Sequence, residues 1–355
     1  MQTGEICGQL SAAESTQGDL WHRGSVTRAR VWRLLGWAAA LPLVLLGGTL
    51  LALSAAPELQ ERHPLATLLA AFVPFGILVW CLAAVVAAAS ARGRLARLLC
   101  SLCLAAALLQ AALAHPPWPR PMSTGGIASL TLLVLNTNFG KADPDALASQ
   151  LAAERPDVVM LLEVQEPLLT ALEKGGALAD FRERIGTAPL GYTTMGYESD
   201  HGTMVLSRRP LALVEQLPTL NGQYVVRVSS AGGDVVFITA RPRNPLHEFE
   251  TWRSDQRLLA DAAQRYASEP VVLAGDFAAT LDHAPLRRVR ELGFKDAAEA
   301  TGVGWLPTYP SHGALPPVIA IDHVLVGSRL QATAIRTFQI DGTDHLGLVA
   351  QLAVP

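Results

Sequence analysis

Apolar residues follow two different patterns along this chain. Leu34–Ala56 and Pro64–Ala91 are runs of 23 and 28 residues without a charge, and Leu98–Ala114 adds 17 more. About 20 apolar residues, rising about 1.5 Å each, cross the roughly 30 Å hydrocarbon core of a bilayer. The first two runs are long enough outright. The third reaches that length by drawing in Leu95, Ala96 and Arg97, whose long stem can carry its charge to the headgroups. None of the three repeats a polar face at helical spacing, as a helix packed on a soluble core would. Three transmembrane helices are therefore expected in 31–114, between a disordered polar tail at 1–30 and a Pro-rich linker at 115–127.

From residue 128 onward the period changes. Ser129–Asn136 (SLTLLVLN) and Asp157–Val164 (DVVMLLEV) read as strands buried on both faces, and HGTMVLSR, QYVVRVSS and DVVFITAR as shorter ones punctuated by Gly or Pro. Asp143-Pro144 supplies an N-cap and first residue for a helix through Leu147 and Leu151 that ends before Pro156. A second helix, from about Glu248 to Ala267, leads into PVVLAGDF, a strand ending at Asp276. Ala320–Val326 (AIDHVLV) and His345–Val354 (HLGLVAQLAV) complete the set. Strands alternating with helices predict a layered α/β domain over 128–355, with its functional site at strand ends.

Charge narrows the partners. Mean hydropathy is +0.28, too apolar for disorder. Over 128–355, 26 Asp and Glu outnumber 19 Lys and Arg, so the domain lacks the basic surface that grips a phosphate backbone, and nucleic acid is the less favoured partner. Cys7, Cys81, Cys100 and Cys103 all lie outside the domain and form no disulfide framework. Arg23, Arg28, Arg30 and Arg33 precede the first apolar run, and Arg92, Arg94 and Arg97 separate the second from the third. The loop between the first two holds Glu58, Glu61, Arg62 and His63. Positive residues favour the cytoplasm, which puts the N-terminus inside, and an odd number of spans then exports the domain.

The strand ends carry the candidate chemistry: Asn136, Glu163, Asp276, Asp322, Asp344 and His345. Any one of these acids alone is most simply a helix cap. Several converging from different strands repel one another unless they are protonated or face a divalent cation. Oxygen donors with no cysteine, and no histidine pair at zinc spacing, suit Mg²⁺ or Mn²⁺. No GxSxG elbow and no GxxxxGK[ST] loop occurs. The residues thus point to metal-assisted hydrolysis.

LNTN with Asn136, PDVVMLLEV with Glu163, HGTMVLSRRPL, VVLAGDFAAT with Asp276, IDHVLV with Asp322 and GTDH with Asp344 and His345 resemble the endonuclease/exonuclease/phosphatase superfamily. They occur in family order across nearly all of 128–355. Three spans ahead of such a domain, with GDFAATLDHAPLRRV and LPPVIAIDHVLV, resemble the VanJ-type membrane phosphatases linked to teicoplanin resistance. The resemblance implies an α+β fold, a four-layer α/β/β/α sandwich. It implies Glu163 and Asp344 as ligands of Mg²⁺ (or Mn²⁺), with Asn136 orienting the metal shell or the phosphate. Asp276 would position or deprotonate the attacking water, and His345, oriented by Asp322, would face the scissile phosphate. The implied activity is that of a membrane-tethered, outward-facing phosphohydrolase or phosphodiesterase acting on a phosphorylated or diphosphate lipid. An extracytoplasmic nuclease and a catalytically silent binding or sensor module are the alternatives.

Two positions depart from the family pattern. GDFNAT reads GDFAAT here, with Ala278 in place of Asn, and TARPRNP carries Arg241 where a His is expected. Losing one preorganised donor commonly costs about 10²–10³ in rate. Arg241 keeps a fork that matches a phosphate but transfers no proton at neutral pH. Arg241 and Asn138 are therefore candidates for substrate contact. Trp305, in a loop beside Gly302 and Gly304, is a further one. His201 is expected to be structural at a strand start, His247 and His312 to be solvated, and Arg287, Arg288 and Arg290 to form a solvated helix face with local ion pairs.

Overall fold

The computed structural model describes residues 35–90, 93–114, 130–189, 202–313 and 316–353. The expected polar tail, the linker, Arg92 and His201 lie outside these residues. The chain divides into two compact units, one of 1–55 with 73–114, the other of 56–72 with 115–355.

Three helices of the first unit are long and apolar enough to cross a bilayer: Leu35–Ala55 (α1), Val73–Ser90 and Gly93–Leu113, with mean hydropathies of 2.0, 2.2 and 1.9. The second opens as a 3₁₀ turn, Val73–Phe75, and continues as α3, Gly76–Ser90; the third is α4. Trp80, Ala83 and Ala84 pack against Cys103 and Ala107. The buried side-chain amide nitrogen of Gln110 donates to the Val73 carbonyl at 2.9 Å, which gives this donor in an apolar helix a partner. The second uncharged run is longer than its span. Pro64 and the ring of His63, which accepts the Leu65 N–H, start a separate short helix, α2 (Pro64–Ala70), that belongs to the other unit.

The domain is built on two six-stranded mixed sheets. The first runs β11 (Gln331–Phe338), β12 (Gly347–Ala353), β1 (Leu130–Asn136), β2 (Val158–Val164), β4 (Gly202–Ser207) and β3 (Glu183–Gly186). The second runs β5 (Leu211–Leu217), β6 (Gln223–Ser230), β7 (Gly233–Ala240), β8 (Val271–Asp276), β10 (Asp322–Val326) and β9 (Lys295–Asp296). Side chains alternate across each strand. Leu130, Leu132 and Val134 of β1 meet Phe237, Val272, Ala274 and Val324 of the other sheet in the central core. Leu133 and Leu135 face outward onto Leu147 and Leu151 of α5 (Pro144–Glu154) and onto α6 (Glu166–Lys174). On the far side Val236, Ile238 and Leu273 take Trp252 and Leu259 of α7 (Phe249–Tyr266) and Leu286 of α8 (Ala284–Glu291). This is the expected four-layer α/β/β/α sandwich. It explains why the central strands read as unbroken apolar runs: both of their faces are covered.

Residues 57–72 are part of this domain by their bonds. Gln60 is fully buried; its amide donates to the Asp282 carbonyl at 3.1 Å and its oxygen accepts the Ala284 N–H at 2.9 Å. Arg288 holds Glu61 with both nitrogens, at 3.0 and 2.6 Å. The Thr67 hydroxyl donates to the Gln60 carbonyl at 2.6 Å, locking α2 to the short 3₁₀ helix Pro57–Arg62. We predict that Gln60→Ala, which leaves the buried Ala284 N–H without its acceptor, lowers stability by about 1–3 kcal/mol. Thermal unfolding of the full chain in detergent measures it, and an unchanged midpoint would refute the docking.

His283 completes the joint. Its Nδ1 accepts the Thr280 N–H at 2.9 Å, which assigns the proton to Nε2, and Nε2 donates to the Thr67 carbonyl at 2.9 Å. Burial holds this ring neutral, with His323 and Arg287 acting in the same direction, and its pKa falls to about 4. Below about pH 6.5 the unfolded chain takes up a proton that the folded chain refuses, so stability falls with pH and levels off below about pH 4, a loss of about 3 kcal/mol. A melting series over that range on wild type and His283→Asn should show the slope in the first and its reduction in the second.

Candidate active site

The polar strand ends meet where the two sheets open at one edge. Asp276 closes β8 and is paired in register with Asp322, which opens β10. Asn136 closes β1 opposite Leu162 of the parallel β2. Glu163 reaches the same place through a defect in the sheet. The β2–β4 register slips between Leu162 and Val164, and Glu163, the extra residue, has φ +55°. A bulge of this kind bends the strand locally and re-aims one side chain. Here Val164 stays in the outer core while Glu163 turns to the site. A left-handed non-glycine residue is strained, and such strain collects at functional sites. Gly275 is needed beside it: a Cβ there would lie 2.0 Å from the Ala240 carbonyl oxygen, where β7 passes close to β8.

Hydrogen bonds then tie the group together. The Asn136 amide donates to Asp276 Oδ2 at 3.0 Å and to Glu163 Oε1 at 3.3 Å, and its oxygen accepts the Asn138 N–H at 3.0 Å. Glu163 Oε2 accepts the Phe139 N–H at 3.0 Å, and Oε1 lies 3.0 Å from the guanidinium of the buried Arg241. Asp276 Oδ1 accepts the Ala278 N–H at 2.8 Å. His345 Nδ1 donates to Asp322 Oδ2 at 2.8 Å, and its Nε2 stands 4.0 Å from Asp276 Oδ2. The Tyr309 ring lies 5.0 Å from that of His345.

The electrostatics follow from this crowding. Burial disfavours a charge on His345, but Asp322, Asp276 and Asp344 outweigh it and push the imidazole up to about 10. Burial, with Asp322 and Glu163 adding to it, raises the Asp276 carboxyl above its usual range despite the pull of His345. The Tyr309 phenol is raised by burial and then by Asp344, Asp276 and Glu163, which puts Asp344 in the same electrostatic neighbourhood. Two cations, His345 and Arg241, therefore face four carboxylates.

Among the described residues, ligand atoms of Asp276, Asp322 and His345 lie within 4.8 Å of one another, close enough to hold a metal ion. With His345 cationic and its Nδ1–H given to Asp322, the imidazole is no ligand in this state, and the hard carboxylates, with further negative charge at Glu163 and Asp344, are what suit a divalent cation.

The structure thus brings together Asn136, Glu163, Asp276, Asp322, His345 and Arg241. Asn138 joins through its backbone N–H, while its side-chain oxygen faces the Lys141 ammonium at 3.5 Å. Sequence reasoning missed the residues that hold these in place. Asn221 donates to the Arg241 carbonyl and accepts from Arg243, both at 3.0 Å. The Thr308 hydroxyl accepts the Asp322 N–H at 3.2 Å, and the Thr343 hydroxyl donates to the Asn136 carbonyl at 2.7 Å. Their only signal was membership of short polar turns.

The match to known proteins covers the same stretch. The Endonuclease/Exonuclease/phosphatase family matches residues 133–345. None of the curated proteins matches the chain at a significant level. Among solved structures, D. rerio TDP2 complexed with single-strand DNA product superposes with a TM-score of 0.52 at 18% identity, over 64% of this chain and 100% of that one. A mannosyl-6-phosphatase of Bacteroides thetaiotaomicron reaches 0.48 at 14% identity, over 63% and 100%. An endonuclease/exonuclease/phosphatase from Beutenbergia cavernae reaches 0.47 at 21%, over 64% and 72%. The superposition on D. rerio TDP2 supports the fold, and by the family match over 133–345 the chain belongs to the endonuclease/exonuclease/phosphatase family.

Proposed function

We propose that this chain is a membrane-tethered, outward-facing phosphohydrolase of phosphorylated or diphosphate lipids, of the VanJ type, working with Mg²⁺ or Mn²⁺. The observation that carries the hydrolytic reading is the Asn136–Asp276 and Asp322–His345 bonding at one strand edge, with Glu163 and Arg241 alongside. The lipid reading draws on the three apolar helices and on the acidic balance of the domain. Outward orientation draws on the basic residues flanking the helices. The docking of 57–72 on the domain agrees with three spans in either orientation, because a loop between the first two spans and a domain after the third share one side.

Asp276, raised toward neutrality, accepts a proton from water as that water attacks phosphorus. The phosphorus bond to the leaving oxygen breaks in line with the attack, and the cationic His345, held by Asp322, offsets the charge gathering on the phosphoryl oxygens. Arg241 offers its fork to the same anion. Glu163 and Asp344 would hold the divalent cation, with Asn136 in its shell, and the cation would supply Lewis-acid charge stabilisation there.

Full-length protein in vesicles should release phosphate from a polyprenyl diphosphate when Mg²⁺ is added, and Glu163→Ala should abolish the release. No release from the wild type, under conditions where a family relative works, rejects the proposal. A silent binding module is the second reading, favoured by Ala278 and by the Arg241–Glu163 pair, which commits a carboxylate oxygen to a protein cation.

A further inference from the structure

We infer that the end of the domain bearing the candidate site is also a lipid-contacting face; this rests on reading the chain as membrane-tethered. The sheet topology places the relevant loops. β7 runs parallel to β8, with Ala240 beside Gly275, and β10 runs antiparallel, with Asp322 opposite Asp276. β6 is antiparallel to β7, with Val225 opposite Ile238. The β5–β6 loop, the β7–α7 loop, the β8–α8 loop and the approach to β10 therefore all leave the second sheet at the end where Asp276 and Asp322 stand.

That end exposes apolar side chains. Leu220 and Leu246, on the first two of these loops, are 57% and 51% exposed, and Val318 is exposed where its N–H bonds the Tyr309 carbonyl beside the site. Leu65 and Leu68 are exposed on α2, which His283 and Gln60 fasten to the β8–α8 loop. The turns at the opposite end are Arg208-Arg209-Pro210, Ala231-Gly232 and Gly327-Ser328-Arg329, and none of these residues is a large exposed apolar one. The remaining exposed apolar side chains of the domain lie on β5 (Leu213, Val214) and on the strap toward Thr308 (Val303, Trp305).

Several exposed leucines at one end of a domain need a reason in a soluble setting, where they invite association. A lipid surface supplies one, and the chain itself argues for that occupant. Residues 56–72 are bounded in sequence by candidate spans ending at Ala55 and starting at Val73, so this segment stays within a few residues of the hydrocarbon at both ends. Gln60 and Thr67 bond it to Asp282, His283 and Ala284 at the site-bearing end. Apolar side chains on such a face sink about 5–10 Å into the boundary between headgroups and acyl chains. A phosphate at headgroup depth then reaches Arg241 and His345 while its lipid chain remains in the bilayer.

The test uses the full chain in phosphatidylcholine/phosphatidylglycerol vesicles, with Cys7, Cys81, Cys100 and Cys103 replaced by serine. A fluorophore is attached to Leu220→Cys, Leu246→Cys or, as the opposite-end control, Ala231→Cys. All three positions are exposed, so the substitutions open no cavity. Lipids brominated in the upper acyl chain are expected to quench the label at 220 and at 246 and to leave that at 231 unchanged. Equal emission loss at all three positions, or none at 220 and 246, overturns the inference. Phosphate release is followed on the same vesicles carrying a polyprenyl diphosphate, with Mg²⁺ added. Release without quenching overturns the lipid-contacting face and leaves the hydrolase reading intact. Quenching without release does the reverse.

Discussion

Asp322→Asn is expected to lower turnover by about 10³-fold on any phosphoester this site hydrolyses, within the 10²–10⁴ range typical of a positioned acid–base group. His345 Nδ1 donates to Asp322 at 2.8 Å, and that carboxylate is the largest of the charges holding the imidazole cationic. An amide at 322 keeps the shape and removes the charge, so the Nδ1 bond weakens and only Asp276 and Asp344 remain to hold His345 protonated. His345→Ala should cost a similar factor. The double variant should cost little more than either, because the two residues act as one unit. Single-turnover rates, with circular dichroism to check the fold, decide it. Full activity in Asp322→Asn beside an inactive His345→Ala would show that the dyad is not a unit.

Ala278→Asn is expected to raise turnover, on the order of 10²-fold, the size of effect associated with one preorganised donor. Ala278 has φ +46°, and its N–H is tied to Asp276 Oδ1 at 2.8 Å. Alanine pays about 1 kcal/mol to sit in that left-handed conformation, which asparagine and glycine adopt more readily. The substitution should therefore stabilise the protein slightly while placing an amide next to Asp276. Ala278→Gly separates the two effects, since it relieves the strain and adds no donor. A rate gain confined to asparagine supports the amide; equal gains in both variants assign the effect to strain, and the donor argument fails.

The central strands were legible because burial on both faces leaves its mark in the residues themselves. Leu130–Asn136, Val158–Val164, Val271–Asp276 and Asp322–Val326 fall within a residue or two of the expected segments, and Asp143 caps α5 as its position before Pro144 indicated. The strands that went unread, β3, β5, β9 and β11, are edge elements, short or exposed on one face, where pairing with a neighbour decides the conformation. The site was legible as a set of polar residues at strand ends. Its internal bonding was not.

Order along the chain, the helices long and apolar enough to span a bilayer, the two-faced strands and the identity of the charged groups were properties of the sequence alone, since they depend on local composition and period. Three things belonged to the tertiary structure: the bulge that turns Glu163, the Arg241–Glu163 pair, and the seating of Gln60 and Thr67 under α8. Each joins or re-aims groups through contacts between segments tens to hundreds of residues apart. No local periodicity encodes such a contact; it exists only once the sheets have closed and water has been excluded from between them.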